Sequence, residues 1–138
     1  MFMDERFTKK LLDVIKISKE IAEENKLHAV TPELLLLALI KHGSSIAVTI
    51  LNQADIDMDS LEDSLHQHLK ENKEVFLIEQ PIGLSDEALS VLEQAREESV
   101  VMGRQIIGTE HLLLALLRVK DSGVPELLGE EGLDYSKT

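Results

Sequence analysis

Two glutamates have the most specific chemical surroundings in this chain. Glu33 follows Thr31-Pro32 and Glu110 follows Gly108-Thr109, and each opens a leucine-rich run, Leu34–Ile40 or Leu112–Val119. Threonine before a first helical turn caps free N–H groups, and proline fits the first helical position. A carboxylate in that turn complements the positive helix end, which is worth about 0.3–1 kcal/mol. Metal ligation is the next chemistry to weigh. Glu62 and His66 lie four apart and share a helical face, whereas His66 and His68, two apart, point in different directions. No third ligand accompanies them, so both histidines are expected on the surface of an amphipathic helix and no metal site is assigned. His111 is expected to pack at an interface or hydrogen-bond locally, and His28 and His42 fall near helix ends. Ser44, Ser45 and Ser85 have no paired base nearby in sequence, so no catalytic residue is assigned either.

Composition narrows the function classes. The 138 residues include no cysteine, which excludes disulfides, thiolate metal sites and cysteine nucleophiles. Three Phe, one Tyr and no Trp leave little for base stacking, and a formal charge of −12 has the wrong sign for a phosphate-backbone binder. Nucleic acid is therefore not an expected partner. Residues 57–98 hold twelve acidic side chains against three basic ones, Lys70, Lys73 and Arg96. Such a stretch suits basic or arginine-bearing partners, or simply keeps the protein soluble. No apolar run reaches the ~18 residues of a membrane span. The charged start, Met1-Phe2-Met3-Asp4-Glu5-Arg6, lacks a signal-peptide apolar region. A cytoplasmic location without membrane association is expected.

The elements that must position these residues read as helices. Between Thr8 and Asn25, Leu11, Val14, Ile15, Ser18, Ile21 and Ala22 recur at helical steps, with Thr8 as cap. Gly43 is placed to stop the Leu34–Ile40 helix. A short helix covers Ile46–Leu51 with Ile46, Ala47, Ile50 and Leu51 inward, and Asp57 or Asp59 caps a helix carrying Leu61, Leu65 and Leu69. Residues 71–83, punctuated by Pro81 and Gly83, read as a linker with Val75–Ile78 extended. Ser85 caps Asp86–Met102, whose inner face is Ala88, Val91, Leu92, Ala95 and Ser99, and Gly103 stops it. A short element surrounds Glu126–Leu128.

An offset of 77 aligns residues 7–61 with 84–138 without a gap. Identities include Val14/Val91, Glu20/Glu97, Glu33/Glu110, Leu51/Leu128, Asp57/Asp134 and the run Leu35–Leu39 against Leu112–Leu116. The expected fold is all-α, a single domain of two tandem four-helix repeats related by a pseudo-twofold axis. Repeat one covers 7–70, the linker 71–83 and repeat two 84–138. Packing the repeats together buries both leucine runs, which neither could cover alone. The helix at 59–70 has no counterpart before Thr138, so the chain reads as a fragment of something longer with its second repeat truncated; the alternative is a natural chain whose second repeat lacks that helix.

Phe7-Thr8, Leu84-Ser85, the run Gly108-Thr109-Glu110-His111-Leu112-Leu113-Leu114 and its looser copy Thr31-Pro32-Glu33-Leu34-Leu35 complete a pattern. The chain resembles, over essentially its whole length, the amino-terminal domain of Clp-type AAA+ ATPases of the ClpA/ClpC kind. The resemblance implies a tethered, non-catalytic domain that docks protein substrates or adaptors for an unfoldase ring feeding a ClpP-like peptidase. ATP is then expected only in downstream modules; this chain has no Gly-x-x-x-x-Gly-Lys-[Ser/Thr] loop and no cofactor is expected in it. The resemblance also implies that the motif glutamates, Glu33 and Glu110, bind the guanidinium of phosphorylated arginine, with Thr31, Gly108, Thr109 and His111 around them. A carboxylate pairs bidentately with a guanidinium, and a helix amino end suits the phosphate. Pro32 removes one N–H donor and Leu34 replaces the motif histidine, which ranks Glu110 ahead of Glu33. The alternative for both glutamates is helix-start stabilisation alone. The fragment is expected to be monomeric. The alternative to an unfoldase domain is a free-standing adaptor or regulator built from the same repeats.

Overall fold

The computed structural model describes residues 6–25, 27, 29–43, 45–71, 83–119, 124–125 and 128. Thr8 starts helix α1 (Lys9–Glu24), its Oγ1 accepting from the Leu11 N–H at 3.2 Å. The buried side of α1 is the stripe Leu11, Val14, Ile15, Ser18, Ile21 and Ala22. Strand β1 (Ala29–Val30) leads into α2 (Pro32–His42), where Thr31 Oγ1 accepts from the Leu34 N–H at 3.4 Å. Gly43, at φ 73°, closes α2 in the left-handed conformation that glycine adopts without penalty.

Helix α2 has no polar side from Pro32 to Leu39; every residue there is buried. It can be apolar all round because α1, α3 (Ile46–Gln53), α4 (Met58–Glu71), α5 (Asp86–Val101) and α6 (Thr109–Arg118) all pack against it. Each outer helix needs only one apolar stripe. In α4 that stripe is Leu61, Leu65 and Leu69, and Asp57 Oδ1 caps the helix start by accepting from the Ser60 N–H at 3.1 Å. In α5 it is Ala88, Val91, Leu92, Ala95 and Ser99, and Ser85 Oγ accepts from the Ala88 N–H at 3.1 Å. No single helix among the described residues is long and apolar enough to cross a membrane.

Two features depart from the sequence expectation. Ile46 does not point inward; it is 54% exposed. The Ala47 N–H donates to Thr109 Oγ1 on α6 at 3.3 Å, which sets Ala47, Val48 and Leu51 as the inner face and leaves Ile46 about 100° around the helix toward solvent. The span 71–83 is also not all linker: Glu71 still belongs to α4, and Gly83 opens strand β2 (Gly83–Leu84). Residues 72–82, and with them Val75–Ile78, lie outside the described residues, as do His28, Ser44 and most of 120–138. Val124 and Leu128 are helical and buried in the common core.

The two-residue strands relate the repeats. β1 pairs in parallel with β2, Ala29 opposite Gly83 and Val30 opposite Leu84, while Phe7 makes a parallel bridge to Ile107. The 77-residue offset converts one pairing into the other, since Phe7 corresponds to Leu84 and Val30 to Ile107. The hydrogen bonds follow suit: the Thr8 N–H donates to Ile107 O at 2.9 Å, and the Ser85 N–H to Val30 O at 2.9 Å. Each repeat thus lends the other the strand it lacks, as a twofold relation between them requires. The fold is all-α apart from these short pairings.

Candidate functional site

The starts of α2 and α6 carry the sequence-predicted residues, and the structure treats the two differently. At α2, Glu33 occupies the first turn with its side chain almost buried. Its Oε2 lies 2.7 Å from His68 Nε2 on α4. Burial pushes the Glu33 carboxyl above the ordinary glutamate value, a backbone hydrogen bond and His68 pull it back, and the Glu87 charge on α5 adds to the rise. His68 is therefore not simply a surface histidine. The stripe of Leu61, Leu65 and Leu69 seats α4 against α2, and His68, beside Leu69, is carried onto Glu33. Next to this pair opens a cleft of about 200 Å³. Leu27, Ala29 and Leu69 form its apolar walls, and Thr31, His68, Ser85 and Glu87 supply the polar groups.

At α6 the four residues Gly108, Thr109, Glu110 and His111 form one cluster. The Gly108 N–H donates to His111 Nδ1 at 2.9 Å, the half of a capping box that the third helical residue supplies; glycine has no side chain to supply the other half. With Nδ1 accepting, the ring proton sits on Nε2, which is buried and has no partner among the described residues. Burial lowers the His111 pKa below the ordinary histidine value and outweighs the attraction of Glu110. The ring is neutral, so its 3.9 Å approach to Glu110 Oε1 is a contact and not a salt bridge. Glu110 folds back over the Cα of Gly108, where a side chain would collide with its carboxylate, and stays partly exposed.

Gly108, Thr109 and His111 are buried; the Gly108 N–H, the Thr109 hydroxyl and His111 Nδ1 are engaged within the fold. Thr109→Val is expected to cost about 1–3 kcal/mol, because it leaves the Ala47 N–H buried and unpaired. Urea denaturation measures this, and a neutral result would show that the hydroxyl does not hold α3. Glu110 alone of its cluster offers a charged atom to a ligand. Thr31 and Glu33 form a separate cluster, and no hydrogen bond or ion pair joins the two glutamates among the described residues. Sequence reasoning missed His68, Ser85 and Glu87 as residues of the cleft beside Glu33, because they come from α4 and the start of α5 and no local spacing announces them. It also missed Glu98, buried on α5 within 3.4 Å of Gln94 Nε2 and 3.9 Å of Arg118. No group of three His, Asp or Glu side chains among the described residues could hold a metal ion.

A family model described as the Clp repeat (R) N-terminal domain matches residues 6–131. The chain is 30% identical over 132 residues to a probable ATP-dependent Clp protease ATP-binding subunit of Chlamydia pneumoniae, a match covering 96% of this chain and 16% of that protein. It is 33% identical over 132 residues to an uncharacterised Mycobacterium tuberculosis protein, covering 96% of this chain and 50% of that one. The chain thus spans between a sixth and a half of the length of these relatives. Among solved structures, the Hsp104 N-terminal domain of Candida albicans superposes with a TM-score of 0.80 at 21% identity, over 96% of this chain and 86% of that one. The ClpV N-domain in its complex with a VipB peptide gives 0.70 at 16% identity, over 99% and 90%. At these identities the likeness is one of fold.

Proposed function

The chain belongs to the Clp repeat N-terminal domain family, and on that premise we propose that it docks protein substrates or adaptors for an ATP-dependent Clp unfoldase subunit. The family match over residues 6–131 carries this reading. The peptide seen on the ClpV N-domain supports it, because it is a protein ligand held on the same fold. Recognition is non-covalent and this chain performs no chemistry; ATP and a ClpP-like peptidase are engaged by the full-length subunit in the cytoplasm, and the domain itself is monomeric.

Within that role we assign ligand contact to Glu110 ahead of Glu33. The Glu33 carboxylate is already taken by His68 at 2.7 Å, whereas Glu110 is partly exposed at a helix amino end. A guanidinium bearing a phosphate suits such a place: the carboxylate takes the guanidinium, and the helix start favours the phosphate. Glu110→Ala is expected to weaken a phosphoarginine peptide about tenfold or more, since a hydrogen bond to a charged group is worth ~1.5–3 kcal/mol. Its melting temperature should change by only a few degrees. Equal binding by variant and parent in calorimetry would remove the assignment.

The mycobacterial relative, half of whose length this chain covers, favours a second reading: an adaptor or regulator built from the same repeats without an ATPase. The full reading frame separates the two. A Gly-x-x-x-x-Gly-Lys-[Ser/Thr] loop in the same frame supports the unfoldase subunit, and its absence supports the adaptor.

A further inference from the structure

The last turn of α5 turns apolar side chains outward. Val100, Val101 and Met102 are 61%, 82% and 49% exposed, and Ile106, just past the turn, is 53% exposed. The turn is tightly held. The Gly103 N–H donates to Val100 O at 3.0 Å and the Arg104 N–H to Ser99 O at 2.9 Å. Gly103 takes φ 72°, and the buried Ser99 Oγ donates to Ile106 O at 2.7 Å. The four side chains therefore form a surface that needs little ordering when something binds to it.

Repeat one provides an internal control. Two backbone bonds recur at its equivalent turn: the Leu27 N–H donates to Ala22 O at 2.8 Å, as Arg104 does to Ser99, and the Asn25 N–H to Ile21 O at 3.0 Å, as Met102 does to Glu98 at 3.1 Å. Yet the residues equivalent to Val100, Val101, Met102 and Ile106 are Glu23, Glu24, Asn25 and Ala29. Those two bonds form with two carboxylates and an amide in place, so they do not demand the apolar set. Exposed apolar patches that the fold does not need mark interaction sites.

Charge identifies the occupant. The exposed stripe of α5 that runs into the patch is Asp86, Ser90, Glu93 and Glu97, where α1 carries Lys9, Asp13, Lys16 and Glu20, so α5 has acids where α1 has two lysines. At 1.5 Å per helical residue, Glu97 stands about 6 Å and Glu93 about 12 Å behind Val101. An extended peptide, at about 3.3 Å per residue, meets them with its second and fourth residues from an apolar anchor. We propose that the α5 tip is a docking surface for an extended protein segment in which Lys or Arg stands two and four residues from the apolar anchor. The chain's net charge of −12 opposes a second copy of itself in that place. The surface is distinct from the starts of α2 and α6 and does not depend on the role proposed for them.

The test uses a fluorescein-labelled peptide, Lys-Ser-Lys-Ser-Leu-Val-Phe, and a second in which both lysines are serine, with anisotropy as the readout. The lysine peptide should bind more tightly than the serine one, and rising salt should weaken it. The combined variant Val100→Glu, Val101→Glu, Met102→Asn installs what repeat one carries, so it should keep the parent melting temperature while weakening the peptide about tenfold or more. Glu93→Lys with Glu97→Lys should also weaken it. Failure of the lysine peptide to bind, equal binding of the two peptides, or equal binding by the combined variant would overturn the proposal. So would sedimentation showing that the parent dimerises and the combined variant does not, since a second copy would then be the occupant.

Discussion

Truncating Leu112 or its repeat-one counterpart Leu35 to alanine should each cost about 2–5 kcal/mol, the range for deleting a fully buried leucine side chain. Both are 0% exposed. The loss is large because native domains hold only ~5–15 kcal/mol in reserve. It should also be difficult to relieve. The leucines of α2 are enclosed on every side by other helices, so no neighbour can shift into the void without opening a second one. Urea denaturation is the measurement, with the midpoint falling and the slope unchanged. A cost under about 1 kcal/mol for either variant would mean that its leucine run is not the packed centre of the domain.

Acid sensitivity at His111 is the second large effect. Its folded pKa lies below the ordinary value of 6.5, chiefly because burial disfavours the charged ring. The unfolded chain therefore takes up the proton first, and stability falls as pH drops below about 6.5 toward the lowered folded value. Protonation would also convert Nδ1 from acceptor to donor and break its bond to the Gly108 N–H. Glu33 acts in the opposite sense. Its carboxyl is raised, so the folded state holds that proton more readily and gains stability as pH falls through the raised value. Melting curves of the parent, His111→Gln and Glu33→Gln between about pH 7 and 5 separate the two. Glutamine at this helix position can still reach back to the cap N–H. His111→Gln should therefore keep the fold near neutrality and flatten the decline below 6.5. An unchanged decline in that variant would place the acid sensitivity elsewhere.

What was legible in the sequence follows from how local each signal is. The inner face of α1 could be read residue by residue, because one apolar stripe at helical spacing fixes which side is buried. The caps at Thr8, Thr31 and Ser85 could be read for the same reason: each acts on an N–H three residues away. The symmetry of the two leucine helices showed as a repeat. The paired strands could not be seen, since two residues carry no periodicity and their partners lie more than fifty positions distant. Ile46 misled because its helix takes its rotation from Thr109 in the other repeat. At the candidate site, the glutamates were visible as helix-start residues, but the difference between them was not. That difference comes from His68, which only the packing of α4 brings to Glu33.

The reciprocal pairing of Phe7 with Ile107 and Leu84 with Val30 makes each half depend on the other. A half-molecule on its own would leave these strand edges unpaired and its leucine helix short of neighbours. Separately expressed halves are therefore expected to associate and rebuild the domain on mixing.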